Sequence, residues 1–487
     1  MSYDLYVDLR AIQHYIFSSN KLKDNLGASH LVSHIFDGFK DEKKGFCGGG
    51  NLYLHCDSET QAKEIVKNLS RAIFETAPGL SFNAVIEETR EEEGFSSRME
   101  RLHQKLQEEK QTHQQVTTLR SYGVNAQCSS GPLSAQYVDY SDGSRKYISE
   151  VVKAKRLAAD KAKDKINKEY QNIMGKEFVL SEEFNKLGQK EGEDSHLAVV
   201  YIDGNDIGKL YKGQKSLAEY QNLSRKMNNA MSDALKATIK ILADNIRIGK
   251  WKYYEQEINS ENAESLPLPL RPIYIGGDDI TFVCEGKLGI VLACTYIDQV
   301  INILNSKDLS FCAGIAVAKT NFPFFQTYKA AEALCRSAKK KRLKEIEEKK
   351  AKNSDSYIDF HMINSSIYSN LEEVREIQYK SIDEINLLFR PYKIDDLIVQ
   401  IENAKNFAKT WPKSKLAKFK EVLYKDASER KAFFKELKTR GDLKIYCEGD
   451  SFKHFETFEE FTTGSDTIFL DIIELLDLLP EEGSNEV

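Results

Sequence analysis

The sequence predicts an α+β protein with two ferredoxin-like domains, the first of them degenerate, together with a helical insert and a helical C-terminal domain. The main observation is an internal repeat of three blocks: a strand that leads into an acid, a glycine-rich hairpin, and a third strand. The blocks occur twice in one order, with nearly equal spacing between the second and the third. They begin at Tyr3, Phe46 and Leu80 in the first copy, and at Ala198, Tyr274 and Leu309 in the second.

Each copy shows the order strand, helix, hairpin, helix, strand, helix. This order is typical of a ferredoxin-like sheet, and we expect the helices on one face of it. The helices predicted after the hairpins cover 58–75 and 287–305, and those after the third strands cover 97–115 and 324–350. The predicted domains are the degenerate copy at 1–90, the helical or linker insert at 91–190, the intact copy at 191–375 and the helical domain at 376–487.

Helical patterns dominate the regions outside the repeat. In the C-terminal domain they cover 382–389, 394–410, 414–423 and 467–479. The insert carries a basic helix at 147–170, which we interpret as a surface helix rather than a nucleic-acid contact.

Composition bounds the class of protein. A chain of 487 residues, with 41% hydrophobic and 30% charged residues, is long enough for several globular domains. The formal net charge of −6 argues against a bulk basic surface for nucleic acid. No apolar run approaches the length of a membrane span and the start lacks a signal-peptide pattern, so we expect a cytoplasmic protein without a membrane partner. None of the 8 cysteines lies in a Cys-x-x-Cys pair, and we expect no zinc.

The chemistry-bearing motif is the hairpin of the second copy. Gly276 and Gly277 form its turn, and Asp278 and Asp279 follow at the tip. Upstream, a buried-type strand ends in Asp203, so two strand ends bring carboxylates toward one point. Carboxylate oxygens suit Mg²⁺ or Mn²⁺, and this layout is typical of two-metal phosphoryl transfer.

The first copy lacks those charges. Its hairpin has Gly50 and Asn51 where the second copy has the paired acids. Neither residue can neutralise a divalent cation, so we interpret the first copy as catalytically silent. Asp8 corresponds to Asp203, and we expect it to cap a helix or fix a turn; Asp206 is expected to be a helix N-cap rather than a ligand.

These features together resemble the palm polymerase/cyclase large subunit of type III CRISPR effector complexes, whose members carry two palm domains, commonly one of them degenerate. The resemblance rests on the Gly276–Asp279 turn, the Asp203–Gly208 strand end and the N-terminal stretch from Gln13 to Ser33. The chain has no His-Asp dipeptide and begins directly on the first palm, so we expect a reduced form without the HD nuclease domain. Membership of a guide-RNA complex therefore stays open at this point.

The resemblance implies a nucleotidyltransferase that converts ATP into a cyclic oligoadenylate and releases pyrophosphate, in antiviral defence. Asp203 and Asp278 would bridge two Mg²⁺ or Mn²⁺ ions, with Asp279 beside them. Lys339, on the helix after the third strand, would reach the triphosphate. The silent palm would hold the acceptor nucleotide.

Ser224 and Asn228 lie one helical turn apart after Asp203 and could line the base or ribose pocket; an ordinary polar helix surface explains them as well. The Gly-Gly-Asp-Asp turn could be a plain hairpin loop, and the lysines around Lys339 a solvated face.

Two other functions fit the same residues. One is a cyclic dinucleotide synthase that uses other NTPs. The turn lacks a Glu-Phe ending, and this absence counts against that function. The other is a non-catalytic scaffold that binds RNA or partner subunits through its helices. The sequence does not reveal the ring size, the activating signal or the oligomeric state.

Overall fold

The protein is described here by a computed structural model. The described residues are 1–39, 45–90, 92–112, 123–140, 143–187, 195–253, 265–306, 308–363, 370–439 and 467–481.

The first copy of the repeat forms a four-stranded antiparallel sheet. Its strands are β1 (Tyr3–Arg10), β2 (Gly45–Gly48), β3 (Asn51–Cys56) and β4 (Ser81–Glu88), in the order β2-β3-β1-β4. Its helices are α1 (Ile12–Phe17), α2 (Leu22–His34), α3 (Glu59–Thr76) and α4 (Phe95–Thr112). The split βαβ order confirms the predicted ferredoxin-like fold of this palm.

Helices cover both faces of this sheet, so the expectation of helices on one face was wrong. Leu5 and Val7 of β1 belong to the core formed with α2 and α3. Tyr6, on the opposite face, packs with Met99 and Leu102 of α4. Because successive residues of β1 are buried on alternate faces, the strand needs cover on both sides.

The insert packs one long helix on the first palm. Its elements are β5 (Tyr137–Asp139), β6 (Lys146–Ile148), α5 (Glu150–Met174) and β7 (Phe178–Val179). The helix α5 is not simply a surface helix, since Lys155 and Arg156 are buried and the Arg156 guanidinium bonds to Asp24 of α2 at 2.9 Å.

The second copy forms a six-stranded sheet in the order β10-β11-β8-β12-β13-β14. Its strands are β8 (His196–Gly204), β10 (Leu270–Ile275), β11 (Asp279–Glu285), β12 (Phe311–Lys319), β13 (Tyr357–Ile363) and β14 (Tyr392–Lys393), while β9 (Leu266–Pro267) pairs with β7. Its helices are α6 (Ile207–Lys212), α7 (Leu217–Arg247), α8 (Gly289–Leu304), α9 (Phe324–Glu347) and α10 (Leu371–Gln378). The sheet therefore continues past the predicted domain boundary at 375.

The C-terminal region is helical, as expected. It contains α11 (Ile394–Thr410), α12 (Lys413–Leu423), α13 (Ala427–Thr439) and α14 (Phe469–Leu476). The helix predicted at 382–389 is absent from this described stretch. A turn stands there instead, in which Ser381 Oγ accepts the Ile385 N–H and Glu384 has a φ of 64°. Single 3₁₀ turns lie at Asp37–Phe39, Phe184–Lys186 and Gly286–Leu288.

The two palms share a hydrophobic core. One continuous cluster of buried side chains includes Leu5 and Val7 of β1, Val199 of β8 and Leu334 of α9. The opposite face of the second sheet packs on α7 and α8, in a cluster that extends to the C-terminal helices. The relative position of the palms is thus fixed by apolar burial.

One segment of the described chain, Gly286–Leu304, is long and apolar enough to cross a membrane, with a mean hydropathy of 1.4. The expectation that no apolar run approaches a membrane span was therefore wrong on length. Half of this window is buried, and α8 within it packs on α7 and the second sheet, as a core helix does.

Candidate active site

The acids at the two strand ends meet. In the antiparallel pair β8–β11, Asp203 lies directly opposite Asp279. Directly opposed residues point to the same face of a sheet. Asp278 lies in the adjoining turn, where its carbonyl oxygen accepts the Gly204 N–H at 3.0 Å. The strand register thus brings the three acids to neighbouring positions, and their role as metal ligands stays a prediction.

The two glycines of the turn have different steric roles. Gly276 N donates to Asp279 O at 2.8 Å. A Cβ at Gly276 would lie 2.1 Å from Asp279 Oδ1 and 2.7 Å from the Tyr274 hydroxyl, so only glycine fits without moving the carboxylate. A Cβ at Gly277 would lie 3.7 Å from the Cα of Gly49, in the corresponding turn of the first palm. The hairpin tips of the two palms therefore touch.

A cleft of about 580 Å³ opens beside this contact. Asp203, Asp278 and Asp279 line it from the second palm, and Gln13 and Gly49 line it from the first. The acids consequently face a space between the palms that is large enough for a nucleotide.

Burial and mutual repulsion perturb the turn carboxyls. Burial, then the charges of Asp278 and Asp203, raise the pKa of Asp279 to about 7, although a hydrogen bond from Gln13 opposes the shift. Burial, then the charge of Asp203, raise the pKa of Asp278 to about 6, against the opposing charge of Lys339. Carboxyls with raised pKa values in a cleft are typical of functional sites.

Lys339 does not line the cleft but contacts one of its acids. From α9 its Nζ donates to Asp203 Oδ2 at 2.6 Å. Partial burial disfavours its charge, but the Asp203 carboxylate outweighs this and raises the pKa of Lys339. The ammonium group is therefore charged at neutral pH and next to the proposed metal ligands.

The donor set suits a divalent cation in kind, since it consists of carboxylates whose mutual repulsion a cation would relieve. The side chains are nevertheless not gathered around one point. Within the described ranges, no group of three or more His, Cys, Asp or Glu side chains is close enough to hold an ion. Asp203 accepts a hydrogen bond from Lys339, and Asp279 accepts one from Gln13. A bound cation would replace Lys339 at Asp203 and would share the Asp279 carboxylate with Gln13.

The second palm is similar in sequence to a known family of domains. Residues 196–348 match the sequence profile of the Cas10/Cmr2 second palm domain. This segment, which is less than half of the chain, is therefore similar to a Cas10-type second palm. No curated protein matches the chain by sequence.

Solved structures similar to nearly the whole Cas10-like chain include those of Csm1. The Csm1–Csm4 cassette in complex with cA4 has a TM-score of 0.55 at 13% identity, over 98% of this chain and 69% of that one. The cassette in complex with pppApApA gives 0.54 at 14% identity, over 98% and 69%. Csm1 in T. onnurineus gives 0.54 at 13% identity, over 98% and 70%. At these identities the likeness shows the fold alone: two palms with helical regions.

Ser224 and Asn228 of the Cas10-like chain lie beside the first palm's hairpin. A Cβ at Gly48 would be 3.0 Å from Ser224 Oγ and 3.6 Å from Asn228 Nδ2. Ser224 also lies near the Tyr211 hydroxyl. Neither residue is among those lining the cleft that holds the acids. Their role in binding a base or a ribose stays a prediction.

Asp206 occupies the predicted N-cap position of α6, with a left-handed φ of 59°. Its side chain makes no capping hydrogen bond, however, and pairs with Lys209 at 2.7 Å and with Arg342 at 3.6 Å. The position was predicted correctly, but the mode of stabilisation was not.

The first palm has the same strand arrangement as the site but lacks the two acids of the hairpin. Asp8 lies opposite Asn51, as Asp203 lies opposite Asp279. Lys110 of α4 bonds to Asp8 at 2.7 Å, matching the Lys339–Asp203 pair. Asp8 therefore holds a lysine, whereas the sequence suggested a cap or a turn.

Sequence reasoning missed Gln13 as a site residue. Its Nε2 donates to Asp279 Oδ2 at 3.0 Å and to the Tyr201 hydroxyl at 3.1 Å. The available signal was its place at the start of the N-terminal stretch that resembles the family. Nothing local indicated that the stretch would reach the other palm.

Proposed function

We propose that this Cas10-like chain is a nucleotidyltransferase that converts ATP into a cyclic oligoadenylate in type III CRISPR defence. The observation that carries the proposal is the direct opposition of Asp203 and Asp279, with Asp278 beside them, in a cleft between two palms. Similar structures support the substrate class, since Csm1–Csm4 cassettes are described in complex with ATP, pppApApA, cA3 and cA4.

The carboxylates would hold two Mg²⁺ or Mn²⁺ ions. Bound ions would lower the pKa of the attacking ribose hydroxyl and stabilise the charge of the triphosphate. Lys339 would leave Asp203 and pair with phosphate oxygens, because a triphosphate offers it more negative charge than one carboxylate. The positions of the three acids and of the lysine fit this exchange.

The reaction needs neither an oxidant nor a side-chain nucleophile, because the nucleophile is a hydroxyl group of the substrate. A ribose hydroxyl oxygen of one ATP bonds to the α-phosphorus of a second, and the bond from that phosphorus to the bridging oxygen breaks. Pyrophosphate leaves with the electron pair, and the hydroxyl proton passes to solvent. Repetition, followed by attack of the chain on its own 5′ end, would close the ring.

Partner subunits are part of the proposal. The relatives that match nearly the whole chain include Csm1 bound to Csm4 within a type III-A interference complex. We therefore infer that this chain works beside other subunits and guide RNA. Its activity should accordingly be measured both without and with them.

The test uses ATP with Mn²⁺ or Mg²⁺, and pyrophosphate release and product mass are measured. The proposal expects a cyclic product made from ATP, and its loss in the Asp278→Asn/Asp279→Asn double variant with an unchanged circular dichroism spectrum. A product made from another NTP would favour a cyclic dinucleotide synthase. Silence with every NTP, also in the presence of the partner subunits and RNA, would favour a scaffold. Full activity of the double variant would place the chemistry elsewhere.

A further inference from the structure

The contact between the palms includes one side chain that crosses from the silent palm to a carboxylate of the other. Gln13, on α1, donates to Asp279 Oδ2 at 3.0 Å. The form of Asp279 that would bind a cation is the ionised one, which only accepts hydrogen bonds, so the NH₂ group of Gln13 must face it. The same nitrogen donates to the Tyr201 hydroxyl at 3.1 Å, so both of its N–H groups are engaged.

One oxygen of the Asp279 carboxylate is thereby held. Oδ2 accepts the Gln13 hydrogen bond, whereas Oδ1 lies close to Gly276, where no side chain fits. Each oxygen still has a lone pair for a cation, because a carboxylate offers about four acceptor positions. Gln13 thus restricts the rotamer of Asp279 without using up its capacity to bind metal.

The helix that carries Gln13 is itself fixed. It starts at Ala11, whose φ is 48°, an uncommon left-handed conformation for alanine. At its other end the buried Lys155 Nζ donates to the Tyr15 carbonyl oxygen and, at 2.9 Å, to Ser18 Oγ. Phe17 stacks on Tyr328 of α9 with ring centroids 3.8 Å apart. These contacts hold α1 in place beside the cleft, so that Gln13 has a defined position.

We propose that Gln13 is a positioning residue of the second palm's metal site, supplied by the silent palm. It orients Asp279 for a divalent cation and makes the affinity of the site depend on the docking of the first palm. This inference rests on the proposed function, because it takes the three acids as the metal ligands. Partners that orient a ligating side chain typically change metal affinity by about 10–100-fold.

The experiment measures Mn²⁺ affinity of the full chain without nucleotide, from the electron paramagnetic resonance signal of free Mn²⁺. Gln13→Leu removes both N–H donors and keeps a side chain of similar size. The matched control is Gln221→Leu, since Gln221 Nε2 also bonds across the palms, to Gly45 O, away from the acids. Asp279→Asn defines the binding that belongs to the acidic site.

We expect Gln13→Leu to raise the Mn²⁺ dissociation constant about 10-fold and Gln221→Leu to change it less than about 2-fold. Raising the Mn²⁺ concentration should then restore a large part of the ATP turnover of Gln13→Leu, which a folding defect would not allow. If wild type and Gln13→Leu bind Mn²⁺ equally, the inference is wrong while the proposed function stands. If Asp279→Asn binds as wild type does, the acids are not the ligands, and both proposals fail.

Discussion

At the scale of single residues, the site depends on how closely groups approach Asp279. Its carboxylate lies within reach of Gln13 and against the backbone of Gly276, and it shares the strand ends with Asp203. Burial and the neighbouring acids raise its pKa to about 7, so its charge responds to each of these contacts. Small changes in this group of residues should therefore have large effects on chemistry.

Gly276→Ala tests the close approach in the turn. Its Cβ would lie 2.1 Å from Asp279 Oδ1, so the carboxylate must rotate away. Displacement of a catalytic group by about 1 Å is associated with a loss on the order of 10²-fold, and we expect that loss in ATP turnover with little change in melting temperature. Gly277→Ala is the matched comparison, because its Cβ would make an ordinary contact of 3.7 Å with Gly49. Equal losses in the two variants would refute the steric argument.

Lys339→Met tests the cation beside Asp203. Loss of an oriented charge on a developing anion costs about 10²–10³-fold, and we expect a decrease of that size in kcat/KM for ATP. Lys340→Met is the control: that lysine is the next residue, its side chain is 82% exposed, and it pairs with Glu372 on the surface. A decrease shared by both variants would show a general effect of helix charge instead of a specific role for Lys339.

At the scale of elements, the site is made by strand pairing and held by packing on both faces. The register of β8 and β11 places the acids opposite each other, and α9 brings Lys339 over the end of β8. The sheet continues through β13 and β14 to the C-terminal helices. There the buried Asp471 of α14 accepts N–H groups from Phe389 and Arg390 at 2.9 Å each, and the Tyr392 hydroxyl at 2.7 Å.

Asp471→Ala should detach this helix from the palm. Removing one partner of a buried ion pair leaves an uncompensated charge, here that of Arg390, at a cost of about 3–5 kcal/mol. Since Glu474 still pairs with Arg390 at 2.7 Å, we expect a loss near the lower end, about 3 kcal/mol, measured by urea unfolding. Glu402→Ala, at a side chain that is 64% exposed and pairs with Lys405, should cost less than about 1 kcal/mol. Similar midpoints for the two variants would contradict the role given to burial.

Elements with strong local signals could be predicted from the sequence, whereas contacts between domains could not. The glycine turn and the apolar runs beside it predict the β10–β11 hairpin, and the duplicated strand order predicts that β8 brings Asp203 to its tip. The apolar pattern at 382–389 indicated a helix, but Ser381 and a left-handed Glu384 make a turn there. The contact of Gln13 with Asp279 depends on how the two palms dock. The shape complementarity of their shared core determines that docking, and no periodicity in the sequence reveals it.

At the scale of the whole molecule, the two palms share the same backbone plan but differ in the residues at their hairpins. The Lys110–Asp8 pair repeats the Lys339–Asp203 pair, and Ala11 and Asp206 adopt the same left-handed conformation at the start of corresponding helices. The first palm has lost its hairpin acids, yet it supplies Gln13 and the facing glycine turn. The first palm therefore forms one wall of the cleft and is not only a stabilising neighbour.

Global stability should report the protonation of the site. In the folded, metal-free chain the pKa values of Asp278 and Asp279 are about 6 and about 7, whereas an unfolded chain ionises aspartate near about 4. Between pH 4 and 7 the folded state thus binds more protons than the unfolded state. Ionisation of these two groups therefore lowers the free energy of unfolding. This destabilisation is complete above pH 7 and decreases as the pH falls below it.

Urea unfolding with EDTA at pH 5, 6, 7 and 8 measures this contribution, when wild type is compared with Asp278→Asn/Asp279→Asn. The variant carries no repelling charges at these positions, so we expect its stability relative to wild type to be greatest at pH 8 and to shrink toward pH 5. Other titrating groups cancel in the difference. Saturating Mn²⁺ should stabilise wild type most at pH 8, because at lower pH the ion must displace protons to bind. A stability difference that stays constant across this range would show that the acids do not repel one another in the folded chain, and it would remove the electrostatic reason for a cation at this site.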